Sequence, residues 1–185
     1  MRKVTVFGGA KPQPGDVAYQ EAYNLGNLLA KAGWSVLTGG YIGTMEAVSR
    51  GASEAGGHVI GVTCDEIEKW RPMAPNRWVK EEWRFPSLNE RMQKLIDGCD
   101  AAIALPGGVG TLAEIVMMWN QLIIAAITPR PLVIIGLNWK RVFDQLLDSQ
   151  GIYIPEKDQK WLCFVNDIQA AVQGVEKIWP KIEGC

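Results

Sequence analysis

The sequence predicts an α/β protein, a three-layer sandwich with a mostly parallel sheet and helices on both faces. Three observations carry that prediction. Short apolar runs alternate with longer amphipathic ones along the whole chain. Several of the short runs are apolar throughout, as expected of strands covered on both faces. Two of them lead directly into glycine-rich turns that open the next helix. Such alternation favours right-handed crossovers between parallel strands.

The elements follow in order. Val4–Phe7 reads as the first strand and Tyr19–Ala32 as the first helix. Ser35–Leu37 and His58–Val62 read as strands, with the helix Met45–Ala55 between them. The rhythm then breaks from Cys64 to Pro86, which holds three prolines, three tryptophans and many charges. One short strand, Trp78–Trp83, is expected inside it. A long insertion after a strand's carboxyl end is a candidate wall for an active site, or else a plain surface excursion. Ser87-Leu88-Asn89-Glu90 has the form of a capping box and starts the helix Leu88–Gly98. The strand Ala101–Leu105, the helix Leu112–Ala126, the strand Leu132–Ile135 and the helices Trp139–Ser149 and Asn166–Ile178 complete the chain. A chain of 185 residues with no linker or low-complexity segment is expected to form one domain over residues 1–185.

Composition narrows the function. Hydrophobic residues make up 48% and charged residues 21%, the balance of a globular protein rather than a disordered one. The 19 basic and 20 acidic residues leave a net charge of −1, against nucleic-acid binding by a generally basic surface. The longest uncharged stretch, Ile115 to Pro129, is too short to span a bilayer, and no secretory signal is visible. Cys64, Cys99, Cys163 and Cys185 form no C-x-x-C pair and are expected to be separate reduced thiols in the cytoplasm. His58 is the only histidine, so a histidine-rich metal site is not expected.

The chemistry lies in two glycine loops. Thr38-Gly39-Gly40-Tyr41-Ile42-Gly43-Thr44-Met45-Glu46 follows the second strand, and Pro106-Gly107-Gly108-Val109-Gly110-Thr111-Leu112-Ala113-Glu114 follows the strand Ala101–Leu105. Glycine lets the chain turn tightly and lets an anion approach the backbone. The first helical amides and the helix dipole then favour negative charge. Gly39, Gly40, Gly43, Gly107, Gly108, Gly110 and Thr111 are therefore candidates for holding a phosphate. Neither loop is a G-x-G-x-x-G or a P-loop fingerprint, and no lysine follows the last glycine.

Three charged residues beside the loops have two readings each. Glu114 closes a Thr-x-x-Glu capping box, or it points its carboxylate into the cleft. Arg91 is a solvated surface residue one turn into its helix, or a guanidinium reaching a phosphate or base. Glu46 complements the helix dipole, or it faces the cleft. Of the eight tryptophans, Trp34, Trp119, Trp139, Trp161 and Trp179 fit packing roles, while Trp70, Trp78 or Trp83 could stack on a base. The helix around Met117, Met118 and Trp119 is apolar nearly all round, which suits deep burial or a subunit contact.

The long run from Pro106 to Glu114 matches the P-G-G-x-G-T-x-x-E motif of the LONELY GUY (LOG) phosphoribohydrolases, long labelled "lysine decarboxylase-like". The chain resembles that family from about Val4 to Leu147, including Gly39-Gly40 to Met45, the Gly56–Val62 segment, and Arg91 upstream of Asp100–Leu105. The resemblance implies a Rossmann-like fold, a homodimer, and hydrolysis of the N-glycosidic bond of a nucleoside 5′-monophosphate, of the AMP or cytokinin type, with no metal or organic cofactor. By matching positions, Arg91 and Glu114 would be the catalytic pair, and Gly107, Gly108, Gly110 and Thr111 would hold the phosphate. The sequence departs from the family's usual pattern at Met92, Ala113 and Glu46. The Met-Glu-Ala form also occurs in molybdenum cofactor carriers of the same fold, which gives the alternative of a binding protein without catalysis. The decarboxylase label would need a lysine for a pyridoxal phosphate Schiff base, and none lies in either loop.

Overall fold

The computed structural model describes residues 1–182, with side chains for residues 1–177. Cys185 and the side chain of Trp179 lie outside them. The sheet has seven strands, all parallel: β1 (Lys3–Phe7), β2 (Ser35–Thr38), β3 (Val59–Cys64), β4 (Glu81–Phe85), β5 (Ala101–Ala104), β6 (Leu132–Ile135) and β7 (Leu162–Val165). Their spatial order is β4-β3-β2-β1-β5-β6-β7. The chain moves outward from β1 to β4, then returns to place β5 on β1's other edge. That reversal opens a crevice above the carboxyl ends of β1, β2 and β5, where open α/β sheets take their ligands.

Period-two alternation in the strands divides the core in two. Val4, Val6, Val36, Val59, Ile103 and Val133 face one side. They pack under α1 (Val17–Lys31), α2 (Thr44–Glu54) and α8 (Ile168–Ile182). Phe7, Leu37, Ile60, Ala102, Ala104 and Ile134 face the other side. These pack under α4 (Leu88–Asp97), α5 (Val109–Ile123) and α6 (Leu137–Gln150). Most side chains of the inner strands are fully buried, which is why those strands read as mainly apolar runs.

The Cys64–Pro86 segment is more ordered than its composition suggests. It carries α3 (Asp65–Trp70), and its strand lies at Glu81–Phe85 rather than Trp78–Trp83. α3 buries none of its residues. Polar contacts hold it: Arg84 bonds Asp65 and Glu68. Glu66 accepts the backbone N–H of Leu88 at 2.7 Å. β4 is an edge strand that turns Trp83 and Phe85 inward and keeps Glu81, Glu82 and Arg84 in solvent, a charged edge that discourages pairing with another sheet. Three elements near the end have no counterpart in the sequence reading: a 3₁₀ turn (Gly151–Tyr153), α7 (Glu156–Gln159) and the edge strand β7. Among the described residues no helix is long and apolar enough to cross a membrane.

Candidate active site

The site is built where three loops meet. The first is the turn after β1, with Gly8, Gly9 and Ala10, which the sequence reading does not single out. It joins the two predicted glycine loops. Gly9 donates its N–H to Pro106 O at 3.3 Å. Its carbonyl accepts both the backbone N–H of Thr44 (2.9 Å) and the Thr44 hydroxyl (3.0 Å). The missed signal is a Gly-Gly pair directly after an apolar strand, the same grammar as the other two loops.

The loop from Gly39 to Gly43 is sealed. All of its residues except Ile42 are buried. Gly40 N–H donates to the Thr38 hydroxyl at 3.1 Å. Gly40 O accepts the backbone N–H (2.8 Å) and side-chain amide (2.9 Å) of Asn76. Tyr41 O accepts the same side-chain amide at 2.9 Å. Gly43 has a φ of 76°, and a Cβ there would strike the backbone of Gly9 and Ala10. The structure therefore uses Gly39, Gly40 and Gly43 to pack the loop against its neighbours.

The second loop is open. Pro106, Gly107, Gly108, Val109 and Gly110 are all exposed, and a Cβ added at Gly108 or Gly110 would meet nothing within 4 Å. Helix α5 begins at Val109, and its first turn carries no side-chain cap. Leu112 N–H is bonded to Gly108 O at 3.0 Å, so the amides of Val109, Gly110 and Thr111 come before the first intrahelical bond. Thr111 is buried under Gly107 rather than displayed at the surface.

Arg91 and Glu114 come together between the loops. The capping box at Ser87 and Glu90 forms in both directions and sets α4's start, so Arg91 falls at the end of the first turn, facing inward. Only 5% of Arg91 is exposed, so it is not a solvated surface residue. Its Nε donates to Val62 O at 2.7 Å and one terminal nitrogen to Gly39 O at 3.2 Å. The other terminal nitrogen lies 3.8 Å from a Glu114 carboxylate oxygen. The guanidinium carbon stands 5.7 Å from the centre of the Tyr41 ring. Gly39 must lack a side chain, because a Cβ would occupy the place of the guanidinium.

The capping-box reading of Glu114 is corrected. The N-cap is Gly108, and α5 starts two residues before Thr111, so Glu114 lies in the second turn and points inward. Burial raises its carboxyl to about 7, and the neighbouring positive charge of Arg91 lowers it only in part. Such a carboxyl exchanges its proton near neutral pH, the range useful for general acid–base work. Glu46 is half-buried on α2, and its charge helps to raise the hydroxyl pKa of Tyr19, after burial. Among the insertion tryptophans, Trp70 is exposed, and Trp78 is flanked by Arg77 and Arg50. Trp83 packs beneath Lys94. Trp34, Trp119 and Trp139 are buried, and Trp161 is partly so. Cys64, Cys99 and Cys163 are free thiols.

Comparison with known proteins gives the family and the fold. The model of the SLOG cluster4 family matches residues 1–160. A protein of Rhodococcoides fascians named cytokinin riboside 5′-monophosphate phosphoribohydrolase is 31% identical over 94% of this chain and 89% of its own length. A rice protein (Oryza sativa subsp. japonica), named as a probable enzyme of the same activity, is 37% identical over 65% of this chain. The chain spans only about half of that rice relative's length. The molybdenum cofactor binding protein of Rippkaea orientalis superposes with a TM-score of 0.74 over 96% of each chain, at 23% identity, and so shares the fold. The chain belongs to the SLOG cluster4 family.

Proposed function

We propose that this SLOG cluster4 protein hydrolyses the N-glycosidic bond of a nucleoside 5′-monophosphate, of the AMP or cytokinin riboside type, to free base and ribose 5-phosphate. The observation that carries the reading is the pairing of a buried Glu114, titrating near neutrality, with Arg91 beside an open glycine loop. The loop's exposed backbone and the first amides of α5 suit a dianionic phosphate. Anchoring the phosphate there brings the anomeric carbon toward Glu114.

The bond then breaks through a ribosyl cation-like transition state. The Glu114 carboxylate stabilises that cation and takes a proton from the attacking water. The water oxygen bonds to the anomeric carbon, and the base leaves with the bonding electrons and takes a proton from solvent water, while Glu114 releases the proton it received to solvent. Arg91 keeps its charge throughout and assists departure by hydrogen bonding. These steps use only this chain's groups and water. The same reading puts the protein in the cytoplasm as a homodimer. The apolar surface at the far end of α5, where Val116 and the C-cap Ile124 are exposed, is the proposed contact.

The test is chromatography of AMP, GMP, CMP, UMP, dAMP and isopentenyl-AMP after incubation with the protein, with adenosine as the unphosphorylated control. Base released from a monophosphate, not from adenosine, and lost in Glu114→Ala, is the expected result. Release of no base, with a phosphorylated pterin retained on purification, would instead favour the carrier reading that the Rippkaea neighbour's fold and the Met45-Glu46 pair suggest.

A further inference from the structure

Arg91 depends on groups that are remote from the reaction itself. Two of its contacts, Gly39 O and the Tyr41 ring, belong to the sealed loop. That loop is bonded by its own helix only at its end, through Ala47 N–H to Gly43 O at 3.0 Å. It is held by Asn76, twelve residues beyond β3, whose backbone and side-chain amides take the carbonyls of Gly40 and Tyr41. The Asn76 side-chain Oδ1 accepts the N–H of Trp78 at 3.2 Å, which fixes which end of the side chain is which. Tyr41 is anchored at its far end. Its hydroxyl accepts Cys64 N–H at 2.9 Å and donates within 3.2 Å of Glu68 Oε1 and Cys64 O. Glu68 is itself gripped by Arg84 through both carboxylate oxygens.

We infer that Asn76 and Tyr41 are positioning residues, which hold the sealed loop so that Arg91 faces Glu114. The Cys64–Pro86 insertion thereby becomes the brace of the reacting pair. The inference deepens the reaction proposed above and rests on it. A brace of this kind acts through Arg91 alone, so losing it should affect the chemical step and the charge felt by Glu114. Phosphate binding at the other loop should stay largely intact. Arg91 is the charged group that faces Glu114 from α4, and it favours the ionised carboxylate. Moving it away should therefore raise the Glu114 titration midpoint.

The experiment compares wild type with Asn76→Ala, Asn76→Asp, Tyr41→Phe and Tyr41→Leu. Phe143→Leu, on the buried face of α6, serves as a purely destabilising control. Glu114 is followed by carbon-13 NMR of labelled glutamate, assigned with Glu114→Gln, and base release is measured in parallel. In Asn76→Ala the midpoint should rise by about one pH unit. Its kcat should fall about tenfold or more with KM little changed. Asn76→Asp should be worse, because a carboxylate would face two carbonyls. Tyr41→Phe keeps the ring beside Arg91 but loses the hydroxyl anchor, and should fall between wild type and Tyr41→Leu in both midpoint and kcat. Phe143→Leu should lower the melting temperature without moving the midpoint.

A Glu114 midpoint unmoved in Asn76→Ala and Tyr41→Leu, with only melting temperature lost, would overturn the inference. Where Asn76→Ala fails to fold, Tyr41→Phe against Tyr41→Leu decides alone. A wild type that releases no base would refute the proposed reaction, and the NMR midpoints would still decide the brace.

Discussion

The two glycine loops share a place after a strand and differ in spacing and in what covers them. Both follow a strand, open with paired glycines and lead into a helix. Around Gly39–Gly43 the insertion and the β1 turn take up the backbone groups, and glycine serves close packing. Around Pro106–Gly110 the β1 turn takes only Pro106 O, the insertion bonds none of the backbone among the described residues, and glycine leaves room for a ligand. Each loop also has its own charged residue. The sealed loop holds Arg91 by a carbonyl, and the helix of the open loop carries Glu114. A glycine pattern therefore specifies a turn, and the neighbours decide whether the turn is structure or site.

Four measurements would break or sharpen that contrast. The largest effect is expected on the open side. Glu114→Gln should lower kcat by about a thousandfold. The same change should stabilise the fold at neutral pH. The Glu114 carboxyl rises on folding from 4.5 to about 7. Its contribution to stability is complete below the unfolded value and is lost as pH rises through the folded one. At about 1.4 kcal/mol per unit this amounts to roughly 3 kcal/mol. The variant's melting temperature should thus exceed wild type by several degrees at pH 8 and approach it near pH 4. An equal or lower melting temperature at pH 8 would mean that the carboxylate is better compensated by Arg91 than its burial implies.

Next comes a matched pair of substitutions. Gly43→Ala forces a Cβ into the Gly9–Ala10 backbone at a left-handed φ, and should cost about 3 kcal/mol. Gly110→Ala meets open space in a helical first turn, and should leave stability unchanged or raise it by up to about 1 kcal/mol. Its KM should rise about tenfold, because the new methyl crowds the phosphate. Denaturant titrations showing the reverse order would mean that the two loops' roles have been exchanged.

The third expectation is a pH profile. Base release should fall about tenfold for each unit below pH 7, as Glu114 takes up its proton. A rate independent of pH from 5 to 8 would exclude Glu114 as the titrating group. The smallest effect belongs to the exposed ion pairs that fasten α3. Arg84→Ala should lower the melting temperature by no more than about 2 °C at low salt, and by less at high salt.

How far the sequence could be read follows from what holds each element. β1, β2, β3, β5 and β6 are buried on both faces, and their mainly apolar runs place them to within a residue or two. α3 buries nothing and is held by Arg84, fourteen residues past its end, so no local pattern reveals it. β7 is a half-buried run of four residues behind a polar stretch, which is too short for periodicity to register. In the site, the sequence marks Arg91 and Glu114 as candidates, but each local motif also allows a bland role. Only the packing of α4 against β3 and the start of α5 at Val109 turn both inward. Asn76 carries no signal of its own, because its acceptors lie 35 and 36 residues back.

The place of β5 in the sheet also governs when the site comes into being. Val4 pairs with Ala101, so the central strand gains its second neighbour only after more than half of the chain has been made. Such long-range parallel pairing is intrinsically slow. On the ribosome, a nascent chain that has reached α4 already contains Arg91 and its loop, yet one edge of β1 is still bare. That edge is a template for pairing with another chain until β5 arrives. Docking of β5 closes the edge and brings in α5 with Glu114. Maturation of the fold and onset of activity are therefore a single late event in synthesis, and a fragment that stops short of α5 is expected to aggregate rather than bind.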